Sequence, residues 1–276
     1  MEKLLTLFLS IVLLQNSFGQ NQLDCNNKQF QDSLITKYLD KGAYKFGYNH
    51  PNWQVYCDSI LAICPNIARV YQQKALPYIK SGDFAKAFPL EDKAAQLDPK
   101  RYLDYKAFLK CLFSKDYEGS IKDFEEAERL NPNNFVMDHS YWFYQGLCYL
   151  ELKNYVQAEK CLKKDILLQT QGDSTIKAHY NSYLYLGIIC LETKRYADAQ
   201  SNFEETLKQY SQLPDAHFYM AMIHKELGNA KEKRHFLENA REFASKGYRQ
   251  NEDQEIYSNY PHQITLYEIE EELNAY

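Results

Sequence analysis

The chain has 276 residues, 45% hydrophobic and 25% charged, with a formal net charge of −5. Such a composition is globular and excludes wholesale disorder, and an acidic balance without any Lys/Arg cluster argues against a nucleic-acid binder, which needs concentrated positive charge. The length fits one or two ordinary domains or one elongated repeat array.

The first residues read as an export signal. Lys3 supplies positive charge, Leu4 to Leu14 form an apolar run, and Ser17 and Gly19 stand where small residues precede a cleavage site. The run is shorter than the roughly 20 residues that a spanning helix needs. Residues 1–19 are therefore expected to be removed, with residues 20–33 following as an N-terminal segment and no membrane span in the mature chain. The expected location is periplasmic or extracellular, in a Gram-negative bacterium. The 7 Cys are an odd number, so at least one thiol has no partner within the chain. No CxxC is present, which removes the commonest redox and zinc signatures. A staple from Cys25 to Cys57 or Cys64 is one option the sequence leaves open, and the connectivity is not fixed by it. Cys57 and Cys64 themselves lie in one predicted helix, roughly 10 Å apart along its axis, too far to bridge each other. Cys111, Cys148 and Cys190 fall on apolar helical faces as buried thiols.

From residue 34 onward the chain repeats. "DSILAICPN", "DKAAQLDPK" and "EEAERLNPN" end at Pro65, Pro99 and Pro132, spaced 34 and then 33 residues apart. Further on, "YWFYQGLCY", "SYLYLGIIC" and "AHFYMAMIH" place Gly146, Gly187 and Ala221 at equivalent positions, and the pairs "GD", "KD", "KN", "KR" and "GN" mark turns. These residues resemble the tetratricopeptide repeat, whose pattern is W-x2-L-G-x2-Y, then A-x3-F, then P. The first helix of the pattern is matched by Tyr71-Ala75-Tyr78, Trp142-Gly146-Tyr149 and Tyr183-Leu186-Gly187-Cys190. The second is matched by Ala87-Ala94-Pro99, Ser120-Phe124-Ala127-Pro132, Ala158-Leu162 and Ala199-Phe203. The resemblance implies an all-α, right-handed superhelical solenoid of about six helix-turn-helix repeats. They are placed at 34–67, 68–100, 101–134, 139–172, 180–213 and 214–247, with 248–276 a loop and a C-terminal capping helix in which Leu266, Ile269 and Leu273 share one face. Trp53 and Lys233 depart from the pattern, standing where a small residue is expected. Gly187 and Ala199 are expected at the crossing of two helices, with Tyr183 and Phe203 filling the space beside it.

Catalytic signatures are absent: no G-x-S-x-G, no phosphate-cradling Gly-rich loop, no H-E-x-x-H. No catalytic residue, cofactor or metal is expected. His217 and His224 share a predicted helical face, but the sequence offers no evident third ligand. A metal-binding or accessory subunit of an envelope enzyme complex is the rival reading built on them, and a purely structural part of an envelope assembly is another. "DSL" at Asp32, "DSI" at Asp58 and "DST" at Asp173 are similar to the acceptor of periplasmic O-glycosylation, although helix N-capping is the favoured explanation of Asp32-Ser33 and Asp173-Ser174.

The resemblance implies a non-catalytic scaffold whose first helices line a concave surface for a protein or peptide partner. The family's best-known mode clamps a C-terminal carboxylate with Lys, Asn and Arg. Here the corresponding positions hold Tyr105, Leu109, Phe143, Leu147, Leu184, Ile188, Phe218 and Met222, so the clamp is not carried over. An aromatic and aliphatic groove takes its place, formed by Tyr102, Tyr105, Leu109, Leu112, Phe143, Leu147, Leu184, Ile188 and Phe218, with packing of the first helices against one another as the alternative use of the same side chains.

Overall fold

The computed structural model describes residues 24–173, 175–250 and 260–275. The expected export signal, Ser174 and most of the loop after Gly247 lie outside the described residues. The architecture is all-α apart from one two-residue antiparallel ribbon, β1 (Phe135–Val136) and β2 (His139–Ser140), which takes up the extra residues ahead of the repeat at His139. Chain contacts divide the protein into a unit ending at Pro77 and a unit beginning at Tyr78.

In the first unit, α1 (Lys28–Ile35) starts at Asn27, whose side chain accepts the Phe30 N–H, and runs on through a wider turn, Thr36–Asp40. Asp32 and Ser33 therefore sit inside a helix and do not cap one. Helix α2 (Pro51–Ile63) opens with Pro51 at its first position, where the missing N–H costs nothing. Leu34, Leu39, Trp53, Cys57, Ile60 and Val70, the last from α3 (Ala68–Lys80), form the core. Trp53, large where the repeat pattern expects a small residue, is buried in that core, and its Nε1–H donates to the Gln73 carbonyl at 2.8 Å. Cys25 pairs with Cys64, where the chain leaves α2. Closing a loop with a sequence separation of 39 limits the unfolded chain by roughly 4 kcal/mol on a loop-entropy account. Cys57 stays a buried thiol, pushed up to about 12 by burial, and is accordingly inert.

The second unit stacks α4 (Phe84–Leu97) and four helical hairpins: α5 (Pro99–Leu109) with α6 (Tyr117–Leu130), α7 (Tyr141–Glu151) with α8 (Tyr155–Thr170), α9 (Tyr180–Glu192) with α10 (Tyr196–Gln209), and α11 (Pro214–Glu226) with α12 (Ala230–Ser245). Each helix contacts the next in sequence, and the first helices α7, α9 and α11 also touch one another in turn. Pro99 ends α4 and opens α5 at once, with Asp98 between them. The turn before α4 and the turn inside each hairpin carry a left-handed residue: Gly82, Lys115, Lys153, Lys194 and Gly228, with φ of 74, 58, 57, 60 and 71°. Asp83, Asp116 and Asn154 follow and cap the next helix by accepting the N–H of Lys86, Gly119 and Gln157.

Small residues bring the paired helices together. A Cβ on Gly187 would lie 2.5 and 2.7 Å from ring carbons of Phe203, and one on Gly146 would lie 2.8 Å from Leu162 Cγ. At the matching place in the first of these hairpins, Ser120 Oγ donates to the Ala107 carbonyl at 2.8 Å. Between hairpins a tyrosine opening one second helix reaches the glutamate closing the next first helix: Tyr117 to Glu151 at 3.0 Å, Tyr155 to Glu192 at 3.1 Å and Tyr196 to Glu226 at 3.3 Å. Buried Asp165 adds a second tie, accepting from Ser140 and Ser182 at the starts of α7 and α9, both at 2.6 Å. Helix α13 (Leu266–Asn274) packs on α12. Ile269 is buried and Leu273 half-buried, but Leu266 is 42% exposed. The anchor lies in the last turn, where Glu272 pairs with Lys225 at 2.6 Å and with buried Lys233 at 3.0 Å.

Alanine at position 187 would gain about 1 kcal/mol of helix propensity, yet the chain keeps glycine because even a methyl group collides with Phe203. Gly187→Leu is expected to cost about 1–3 kcal/mol, read as a fall in melting temperature of several degrees, and Gly187→Ala a smaller fall. An unchanged transition would show that the crossing lies elsewhere.

Candidate interaction surface

The residues expected to form a groove are mostly packed. Tyr102, Leu109, Leu112, Phe143, Leu147, Leu184, Ile188 and Phe218 are buried, and Tyr105 alone is half-exposed. The physical reason is register. Phe143, Leu184 and Phe218 stand three residues before the small residue of their helix, and Leu147 and Ile188 one after it, positions that fill the layers between helices. Truncating them would remove core.

One position over, a row of tyrosines recurs. Tyr105, Tyr144, Tyr185 and Tyr219 each precede a small residue (Ala107, Gly146, Gly187, Ala221) by two places on consecutive first helices. What covers this row is the chain's own C-terminal segment. Tyr185 Oη donates to the Pro261 carbonyl at 2.7 Å and Tyr219 Oη to the His262 carbonyl at 2.6 Å. Tyr260 stands beside the Tyr144 hydroxyl, and its ring lies 6.5 Å from that of Phe143, centroid to centroid. Two more tyrosines hold the chain where it leaves α12, Tyr180 to the Gln250 carbonyl at 3.1 Å and Tyr210 to that of Arg249 at 3.3 Å. Gln250 in turn donates to Tyr185 Oη at 2.8 Å. Burial pushes the phenols of Tyr144, Tyr185 and Tyr219 well above the usual range, so they remain donors.

Two carboxylates complete the seat. Asp215, in the first turn of α11, accepts the Ile264 N–H at 2.8 Å. Glu151 meets His262 Nε2 at 3.0 Å, and that contact, ahead of its other partners, holds the Glu151 carboxyl below its ordinary range. Beside this pair an open cleft of about 360 Å³ is lined by Leu150, Glu151, Lys153, Tyr155, Glu192 and His262. Its counterpart one hairpin on, about 460 Å³, includes Glu192, Tyr196, Tyr219 and Glu226. Charged, aromatic and aliphatic side chains line both, and both are open.

The two histidines are engaged elsewhere. His217 Nε2 lies 2.9 Å from the Ser211 carbonyl, with its ring 5.2 Å from Phe243, and burial lowers its pKa. His224 stacks on Phe236 at 5.4 Å. Among the described residues no group of three or more His, Cys, Asp or Glu side chains could hold a metal ion. No helix among them is long and apolar enough to cross a membrane.

The fold and its surface define an α-helical repeat scaffold, the class of module that presents stacked first helices to protein partners. Residues 112–164 match the sequence model of the tetratricopeptide repeat. Its fold is similar to that of PilW, described as a widely conserved type IV pilus biogenesis factor, with TM-score 0.58, 16% identity and coverage of 78% of this chain and 92% of that one. It is similar also to pilF of Pseudomonas aeruginosa, with TM-score 0.55, 17% identity and coverage of 78% and 97%. A third is YrrB, a TPR protein with an unusual peptide-binding site, with TM-score 0.50, 17% identity and coverage of 68% and 91%. At these identities the likeness is one of fold. No curated protein matches the sequence.

Asp215 supplies a test of the seat. Burial pushes its carboxyl up to about 7, against the opposing Ile264 hydrogen bond. An unfolded chain releases that proton near pH 4, so between about pH 4 and 7 the folded state holds more protons and stability falls as pH rises. Asp215→Asn is expected to flatten that decline by up to about 1.4 kcal/mol per pH unit, seen in urea midpoints measured across the range. An identical slope in the variant would mean that Asp215 is hydrated.

Proposed function

We propose that this chain is an exported, non-catalytic adaptor of the cell envelope that binds a segment of a protein partner along the inner face of α5, α7, α9 and α11. One observation carries the reading: Tyr185 and Tyr219, at one register of consecutive first helices, already seat a stretch of main chain, and Tyr144 at the same register stands beside Tyr260. A surface that satisfies backbone carbonyls with rigid phenols is suited to polypeptide, and tyrosine presents large amphipathic area at little entropic cost. Tyr105 continues the row and is half-exposed. Export is supported by the N-terminal apolar run, which lies outside the described residues, and by the Cys25–Cys64 disulfide, a bond that persists in oxidising compartments.

Photocrosslinking in the native envelope followed by mass spectrometry identifies the partner. Tyr105→Ala is then expected to weaken that complex by more than about 1 kcal/mol, with the melting temperature held. Retained affinity in the variant would place the partner on another surface. In the same material the mature protein is expected to lack residues 1–19 and to contain oxidised Cys25 and Cys64. An intact N-terminus or reduced thiols would overturn export.

A further inference from the structure

The segment that covers the tyrosine row is a tight turn. The Gln263 N–H returns to the Tyr260 carbonyl at 3.3 Å, Pro261 occupies the second position, and His262 is left-handed with φ 58°. That arrangement, proline followed by a residue at positive φ, is the signature of a type II β-turn. Such a turn satisfies its first carbonyl internally and leaves the two middle carbonyls pointing outward without partners. Here those two carbonyls, of Pro261 and His262, are the ones met by Tyr185 and Tyr219. The residue after the turn is caught as well, its N–H bound by Asp215, while the imidazole of the third turn residue reaches Glu151. Glycine is the residue that adopts positive φ without strain. Histidine at position 262 keeps it because its carbonyl and its ring are both held.

We propose that Tyr260–Gln263 is a built-in ligand of the inner face, and that the partner recognised there is a polypeptide presenting a proline turn of the same chemistry, an aromatic residue before the proline and a hydrogen-bonding residue after it, which displaces the cis segment. This rests on the adaptor reading and specifies what its surface reads: the outward carbonyls of a turn, by hydroxyls at matched positions of consecutive helices. Those helices are held in place by close crossings, so the seat is pre-formed and its occupancy is a competition between a tethered copy and a free one. A free ligand then binds with an affinity reduced by the fraction of molecules whose seat is open.

The test uses the full chain and a fluorescent peptide with the sequence of residues 260–266, YPHQITL. Tyr260→Ala with His262→Ala disables the cis segment, and this variant is expected to bind the peptide roughly tenfold or more tightly than the unaltered chain. Adding Tyr185→Phe and Tyr219→Phe, which remove two hydroxyls and leave both rings, is expected to abolish that gain, as is replacing the proline of the peptide by alanine. In the otherwise unaltered chain the same two phenylalanines are expected to speed hydrogen exchange at the Ile264 amide. Circular dichroism checks that each variant keeps its helices. Equal peptide binding with and without the cis segment, indifference to the two hydroxyls, or a dimer formed by exchange of the segment between copies would each overturn the proposal. If the envelope partner is still captured after Tyr185→Phe and Tyr219→Phe, the adaptor reading stands and this inference falls. If the peptide binds as expected and no partner is captured by any variant, the adaptor reading fails by itself.

Discussion

The close approach of two helices at a residue without a side chain is the constraint on which the second unit depends. Gly187 lets the Phe203 ring lie against the backbone of α9, and Gly146 does the same for Leu162. Fixing that distance fixes the angle between the two helices, since ridges and grooves can interlock in few ways. A hairpin so defined offers the next one a surface of constant shape. The ties that join hairpins, Tyr117 to Glu151, Tyr155 to Glu192 and Tyr196 to Glu226, recur because the geometry beneath them recurs.

The inner face inherits this regularity. A tyrosine two places before the crossing residue leaves its helix in the same direction each time, so Tyr144, Tyr185 and Tyr219 form a row. Their rings are part of the packed layer and only the hydroxyls remain to be satisfied. A buried hydroxyl without a partner costs free energy, which favours an occupant rich in carbonyls. A turn is such an occupant, and the polar C-terminal segment supplies one. Covering the row therefore buries it and satisfies its hydroxyls with the same contacts.

The hairpins, their turns and their small residues were legible in the sequence because helix packing is written locally, at spacings of three and four residues. The turn pairs beginning with glycine or lysine correspond to left-handed residues at Gly82, Lys115, Lys153, Lys194 and Gly228. The inner face was harder. The strings around Gly146, Gly187 and Ala221 contain the tyrosines, but reading the surface one residue away turns it by about 100° around a helix, from the row to the core. The signal that could have found it was the recurrence of tyrosine at a fixed distance from the small residue. The C-terminal segment could not be found that way. Its role lies in main-chain carbonyls, which no side-chain pattern reports, and "YPHQ" reads as an ordinary loop. The choice between Cys57 and Cys64 as partner of Cys25 likewise turned on where α2 ends, a boundary that patterns locate poorly.

Lys233 holds the position that is Ser120, Ala158 and Ala199 in the earlier hairpins, and its ammonium is buried under Glu272. A repeat array whose last hairpin ended in a small residue would present an unfinished face, open to another hairpin from a neighbouring molecule. Contacts of that head-to-tail kind do not close, and they propagate as filaments. A long cation at this crossing, neutralised by α13 of the same chain, occupies the face that such a hairpin would need.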